Sequence, residues 1–356
     1  MELPVQKFLA FLAAAWLSSA TIAATPATPA ASDSPPRNAA ASAATPEGEQ
    51  AARAVLEALG AVVRVKVSAI ADARSLRTLG REREGSGIVL SPSGMVLTIG
   101  YLILEAESIV LTDVNGKTVT GSIAAYDHAS GFGLVRPTVP LAVAGATLGT
   151  SKDVAEYEKL IFATHGGKEN ASLATVASKR RFAGYWEYLI DDAIFTVPPR
   201  GDHSGAALIN REGKLVGIGS LIVADAALPN RRFPGNMFVP IDLVKPIINS
   251  IATNGRASET QRPWIGLSTQ EVEGRLLVIR VQEESPAAAA GLKTGDIVLA
   301  IGGEKVASLE EFYGKLWSAG RPGTAIRLNV LQGGNMREVD VKSIDRQQYM
   351  RARPSL

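Results

Sequence analysis

Three histidines, at positions 128, 165 and 203, are the only imidazoles in 356 residues, and there is no cysteine. One of them stands in Asp202-His203-Ser204, a carboxylate, an imidazole and a hydroxyl in consecutive positions. A serine hydroxyl becomes a nucleophile when an imidazole takes its proton and a carboxylate holds that imidazole in the right tautomer. Neighbours on an extended segment point to opposite faces, so only a tight turn would gather these three. His128, beside Asp127, and His165, before Gly166-Gly167, read as solvated loop residues. The lack of cysteine excludes disulfides, thiol nucleophiles, thiolate zinc sites and iron–sulfur ligation. No paired-histidine spacing suggests a metal, and no G-x-G-x-x-G follows a strand. Gly116-Lys117-Thr118 fails as a phosphate loop because Leu111 stands where the upstream glycine is needed. No cofactor is expected. The formal charge of +2, from 37 basic and 35 acidic residues, gives no field to hold nucleic acid.

The elements that must position these groups fall into blocks. Residues 1–24 read as a secretory signal: Lys7 precedes the apolar run Phe8–Leu17, and small residues follow to Ala24. The run is short for a membrane span, so no span is expected after cleavage, an uncleaved anchor being the alternative. Residues 25–46 are Ala, Pro, Ser and Thr, a composition that cannot bury enough surface to offset its ordering entropy. Residues 47–61 read as a helix opening a domain over 47–252. From 62 onward short β-rich runs alternate with turn signals such as Ser91-Pro92-Ser93-Gly94 and Asn115-Gly116, the pattern of a sandwich or barrel. Asp242–Ile251 reads as a closing helix and 253–261 as a linker. A compact αβ unit follows over 262–343, in which Ser308 and Glu311 have capping-box spacing and Leu309, Phe312 and Leu316 share a helical face. The basic tail, 344–356, reads as frayed from Arg346 on. Tyr185, Trp186 and Tyr188 read as ordinary core, with a lid or a partner patch as alternatives.

Three stretches, taken in order, resemble the HtrA/Deg family of secreted trypsin-like serine proteases with PDZ domains. Gly85-Ser86-Gly87-Ile88-Val89-Leu90-Ser91-Pro92-Ser93-Gly94-Met95-Val96-Leu97-Thr98 resembles the family's first hairpin. Ser204-Gly205-Ala206-Ala207-Leu208-Ile209-Asn210, with Gly213–Ile218, resembles its nucleophile strand, and Phe238–Pro246 the entry to its linker helix. Ser285-Pro286-Ala287-Ala288-Ala289-Ala290-Gly291-Leu292-Lys293-Thr294-Gly295-Asp296-Ile297-Val298 is similar to its PDZ core. The resemblance runs from about 62 to 343. It implies a mainly β fold, a trypsin-like double β-barrel followed by one small αβ PDZ-like domain. It also places Trp264-Ile265-Gly266-Leu267 at a carboxylate-binding loop, with Phe312 and Leu316 on the neighbouring helix, a β-augmentation site for peptides.

The triad is where this sequence departs from the family. The family's histidine follows the L-T-x-x of the hairpin, and Tyr101 stands there; its aspartate opens a run that here begins at Gly131. A phenol with an ordinary pKa near 10 is a poor base at pH 7. Only Ser204 remains. The oxyanion-hole glycine, two residues before the serine, is replaced by Asp202; with Gly201, His203 and Gly205 this makes an altered loop, and an anion there opposes a developing oxyanion. The resemblance implies a periplasmic or secreted pseudoprotease in envelope protein quality control that binds peptides or unfolded-protein C-termini through its PDZ domain. The alternative is an active serine endopeptidase using Ser204 with a non-standard base. The family's habit of trimerising implies a homotrimer, for which 47–61 could serve, or an active paralogue as partner.

Overall fold

The computed structural model describes residues 45–254 and 262–351. The expected signal segment, residues 25–44 of the spacer, linker residues 255–261 and the last five residues lie outside the described residues.

Helix α1, Pro46–Gly60, starts where Thr45 caps it: the Thr45 Oγ1 accepts from the Gly48 N–H at 3.3 Å, and Pro46 takes the first position. Its apolar side chains Val55, Ala58 and Leu59 are buried in the barrel core. Twelve strands then close two antiparallel barrels. The first runs β1 (Val62–Ala69), β2 (Glu82–Val89), β3 (Val96–Ile99), β6 (Phe132–Pro137), β5 (Thr118–Tyr126) and β4 (Ala106–Thr112) in spatial order. Two short helices, α2 (Leu76–Leu79) and α3 (Gly100–Ile103), interrupt it. The second runs β10 (Ala207–Ile209), β11 (Leu215–Val223), β12 (Gly235–Pro240), β9 (Tyr188–Val197), β8 (Ala171–Gly184) and β7 (Lys159–Ala163). Closure leaves no free edges, and alternation fills each interior: along β1, Val63, Val65 and Val67 face in while Arg64 and Lys66 face out.

Helix α4, Lys245–Asn254, leads toward the second unit. That unit is one antiparallel sheet in the order β13 (Leu267–Val272), β14 (Arg275–Val281), β15 (Ile297–Ile301), β17 (Ala325–Gln332) and β18 (Asn335–Lys342), with β16 (Glu304–Lys305) beside β15. Helices α5 (Pro286–Ala289) and α6 (Leu309–Ser318) cover it, and β13 is its free edge. Ser308 caps α6 by accepting from the Glu311 N–H at 3.1 Å, while Glu311 reaches back one residue further than a capping box, to the Ala307 N–H at 2.8 Å. The mainly β class and the two-part architecture are as expected.

Three expectations change. The linker begins after Asn254, because 253 and 254 continue α4. The tail is ordered to Arg351: it forms α7, Arg346–Tyr349, whose Tyr349 ring packs on Trp264 at 4.6 Å. Arg351 also pairs with Asp72 and donates its N–H to Glu105 at 2.9 Å, latching the tail to the first barrel. The third concerns Tyr185: Tyr188 is in the barrel core and Trp186 packs against it, as expected, but Tyr185 is exposed at the hairpin tip. Further ion pairs span the units, Arg181–Glu310 at 3.2 Å and Arg74–Glu284 at 2.5 Å.

Leu59 is fully buried. Leu59→Ala should therefore lower stability by about 3 kcal/mol in urea denaturation, and a loss well under 1 kcal/mol would show that α1 is not part of this core.

Candidate active-site cleft and peptide groove

Ser204 sits on a turn that leaves the cleft and enters β10. The Ala206 N–H donates to the His203 carbonyl at 3.0 Å, the Gly205 N–H to Gly219 at 2.9 Å, and the Ser86 N–H of the first barrel to the Ser204 carbonyl at 2.8 Å. Gly205 is required here: its φ is +72°, and a Cβ would lie 1.9 Å from the Ser86 carbonyl oxygen. The backbone that presents a serine is therefore intact.

Its partners are not those of a nucleophile. The Tyr101 Oη, delivered by α3, lies 2.9 Å from Ser204 Oγ and 2.8 Å from the Ser220 carbonyl oxygen. A phenol has one proton and the carbonyl can only accept. Tyr101 therefore donates to Ser220, and the Ser204 hydroxyl donates to Tyr101. Burial pushes the Tyr101 pKa up to about 12, against the opposing hydrogen bond from Ser204. Among the described residues no histidine ring hydrogen-bonds Ser204.

Gly131 adopts φ +78°, where its N–H reaches the Asp127 carbonyl at 2.8 Å and its carbonyl accepts from Gly100 at 2.7 Å. A Cβ at this position would lie 3.0 Å from the Tyr188 hydroxyl. Tyr188, buried, donates to the Ser130 carbonyl at 2.7 Å and fills the room a carboxylate at 131 would need. Asp202 is turned aside. Arg200 Nε binds its Oδ1 at 2.9 Å and Thr164 Oγ1 binds its Oδ2 at 3.0 Å, and the Arg200 pairing, ahead of an opposing burial effect, holds its pKa below the usual range. Neither Gly201 nor Asp202 has a positive φ, so the loop does not use the freedom of its glycine.

The histidines are dispersed. His128 is not the solvated loop residue expected. It packs edge-on against Tyr126 at 4.3 Å with Nδ1 unpartnered, and burial, then Arg346, push its pKa down to about 2. His203 is half-buried, its Nδ1 also lacks a partner, and burial lowers its pKa. His165 puts Nδ1 3.2 Å from Ser86 Oγ and Nε2 3.9 Å from Glu84, a serine–imidazole–carboxylate series that sequence spacing does not reveal. The Ser86 side chain is buried and already accepts from the His165 N–H at 3.0 Å, which makes the series a brace.

The groove first assigned to peptides lies against another segment of the chain. The tip of the β8–β9 hairpin lies along the free edge of β13, where the Thr269 N–H donates to the Tyr185 carbonyl at 3.0 Å. The N–H groups of Gly266 and Leu267 donate to Glu187 Oε1 at 2.9 and 3.1 Å. The Tyr313 hydroxyl of α6 accepts from the Glu187 N–H at 3.1 Å and donates to the Gly184 carbonyl at 2.6 Å. Of the residues first assigned to the groove, Gly266 and Leu267 meet this carboxylate. Ile265, Phe312 and Leu316 are in the interior of the unit, and Trp264 pairs its N–H with the Ile344 carbonyl at 2.9 Å. Glu187 and Tyr313 were missed. The readable signal was Gly184-Tyr185-Trp186-Glu187-Tyr188, an aromatic cluster around one acid. A cavity of about 360 Å³ joins the two sites, lined by Tyr101, His203 and Ser220 on the cleft side and Trp264, Arg346 and Tyr349 on the other.

Residues 85–218 match the trypsin-like peptidase domain family and residues 263–343 the PDZ domain family. The chain is thus a trypsin-like peptidase fold followed by a PDZ domain. A probable periplasmic serine endoprotease, DegP-like, of Pseudomonas fluorescens is 27% identical over 289 residues, covering 73% of this chain and 57% of that protein. The serine endoprotease DegS of Haemophilus influenzae is 26% identical over 268 residues, covering 72% and 76%. The chain spans little more than half the length of the Pseudomonas relative. The solved HtrA-type protease AlgW with tripeptide shares the fold at TM-score 0.50 and 20% identity, covering 85% of this chain and 98% of that one. In domain order and sequence the chain is similar to these HtrA/Deg-type proteases.

Gly131→Asp puts a side chain on a left-handed residue against Tyr188. It should lower stability by about 1–2 kcal/mol in urea denaturation, and an unchanged midpoint would mean that Tyr188 yields freely.

Proposed function

We propose that this protein is a proteolytically silent chain of HtrA/Deg type that works in the periplasm, in envelope protein quality control. Its PDZ domain takes peptides or unfolded proteins by their C-termini. The observation that carries this reading is the hydroxyl of Tyr101 set between Ser204 and Ser220. At pH 7 a phenol with a pKa of about 12 is ionised to roughly one part in 10⁵, so it takes no proton from the serine. Asp202, bound to Arg200 and Thr164, stands where the family keeps its oxyanion-hole glycine, and Tyr188 occupies the room beside Gly131. Three separate roles of a serine protease site are therefore filled by groups unsuited to them. The periplasmic setting and the quality-control role rest on the relatives.

A fluorophosphonate probe and an unfolded-casein assay test the silent site, with Ser204→Ala as control. The wild type should match the control in both. Tyr101→His, which places an imidazole beside the serine, should raise labelling of Ser204 by about tenfold or more. Ser204-dependent cleavage by the wild type would contradict the proposal in favour of an active endopeptidase.

A further inference from the structure

We infer that the β8–β9 hairpin tip is a built-in ligand of the PDZ groove, that Glu187 stands in for a peptide's terminal carboxylate, and that a free C-terminus enters by displacing it. This deepens the peptide-binding reading and rests on it.

The contacts reproduce the requirements of strand addition one by one. An extended ligand must pair with the exposed edge strand, and Tyr185 does so through Thr269 on β13. A carboxylate must meet the backbone N–H groups of the loop before that strand, and Glu187 Oε1 meets those of Gly266 and Leu267. The helix opposite must hold the ligand's other side, and Tyr313 clasps both limbs of the hairpin. Every donor a peptide terminus would use at these positions is already taken.

The turn itself shows that this contact outweighs local preference. Tyr185, Trp186 and Glu187 form a three-residue loop between Gly184 and Tyr188, which are paired across β8 and β9. The last residue of such a loop is left-handed and favours glycine. Here it is Glu187, with φ +58°. A residue that breaks a local rule while satisfying a distant one marks a functional position. Glu187 Oε2 has no hydrogen-bond partner, so the seat is made for one oxygen and the other is buried at a penalty.

That penalty gives the seat a pH dependence. Burial raises the Glu187 pKa to about 7, against Arg346 and the amides of residues 265–267. The titratable groups facing it are Arg346 of α7 and Tyr313 of α6; β13 and the loop before it contribute amides alone. A group whose pKa is higher when docked favours docking at low pH, and this preference fades as pH rises through about 7. A peptide terminus entering the seat meets the same burial whether or not Glu187 is present, so its own titration cancels when proteins with and without Glu187 are compared. The internal ligand therefore competes less as the pH rises.

Displacement reaches the cleft because the neighbours of Glu187 are shared. Trp186 stacks on Tyr188 at 5.5 Å, and Tyr188 holds the Ser130 carbonyl beside Gly131. Both line the cavity that borders Tyr101 and His203.

Full-length protein, wild type and Glu187→Gly, is titrated with fluorescein-labelled hexapeptides ending in Ala, Val or Leu, as free acids and as C-terminal amides. Glycine suits the turn and removes the carboxylate, so the variant should fold at least as well as the wild type. It should bind the free acids about tenfold or more tightly than the wild type and should discriminate against the amides. From pH 5.5 to 8 the ratio of variant to wild-type affinity should fall by on the order of tenfold. Without peptide, amide exchange at Gly266 and Leu267 should be faster in the variant. Equal affinity in both proteins, together with equal exchange, overturns the internal ligand and leaves peptide binding standing. Faster exchange in the variant with no peptide bound by either protein upholds the docked tip but overturns peptide capture and displacement.

Discussion

The contact between the Glu187 carboxylate and the amides of Gly266 and Leu267 ties the second barrel to the loop before β13. It lies at the end of a hairpin whose strands belong to the second barrel, so it carries the rigidity of a closed sheet into the groove of the PDZ domain. The left-handed turn, the stacking of Trp186 on Tyr188 and the clasp of Tyr313 follow from bringing one carboxylate to one pair of N–H groups. Because Tyr188 is the next residue, the same placement fills the space beside Gly131. One short segment thereby packs against the loop before β13 in one unit and beside Gly131 in the other.

The cleft keeps the scaffold of a trypsin-like peptidase, and a phenol rather than an imidazole stands beside its serine. Gly205 still makes the tight approach to Ser86, and Ser204 is still presented on its turn. What has changed is the company of the hydroxyl. A phenol that donates to Ser220 orders Ser204 through a hydrogen bond but cannot take its proton at neutral pH. This division fits a chain that preserves the fold for its interfaces. The PDZ domain is held by the hairpin, by the tail and by ion pairs such as Arg181–Glu310, and each of these depends on an intact barrel.

Much of this was legible in the sequence because it is written in local patterns. The alternation of Val63, Val65 and Val67, the Asn115-Gly116 turn and the Ser308 cap each report on a neighbourhood of a few residues. Tyr101, Gly131 and Asp202 were singled out too, through the motifs that surround them. The roles of Glu187 and Tyr313 were not, because each depends on a partner far along the chain: Glu187 meets amides 79 and 80 residues away, and Tyr313 a carbonyl 129 residues away. His128 was misjudged for the same reason, since the residues that bury it come from the tail as well as from its own loop. The ordered tail was missed because its basic composition resembles a solvated end, whereas Tyr349 and Arg351 find partners on the first barrel.

The most direct test is a carbon-13 NMR titration of the glutamate side-chain carboxyls in the full-length protein, with Glu187→Gln used to assign the signal. A carboxyl buried on the Gly266 and Leu267 amides should titrate with a midpoint of about 7. A midpoint in the ordinary glutamate range, near 4.3, would place Glu187 in solvent and would contradict the internal ligand on which this account turns.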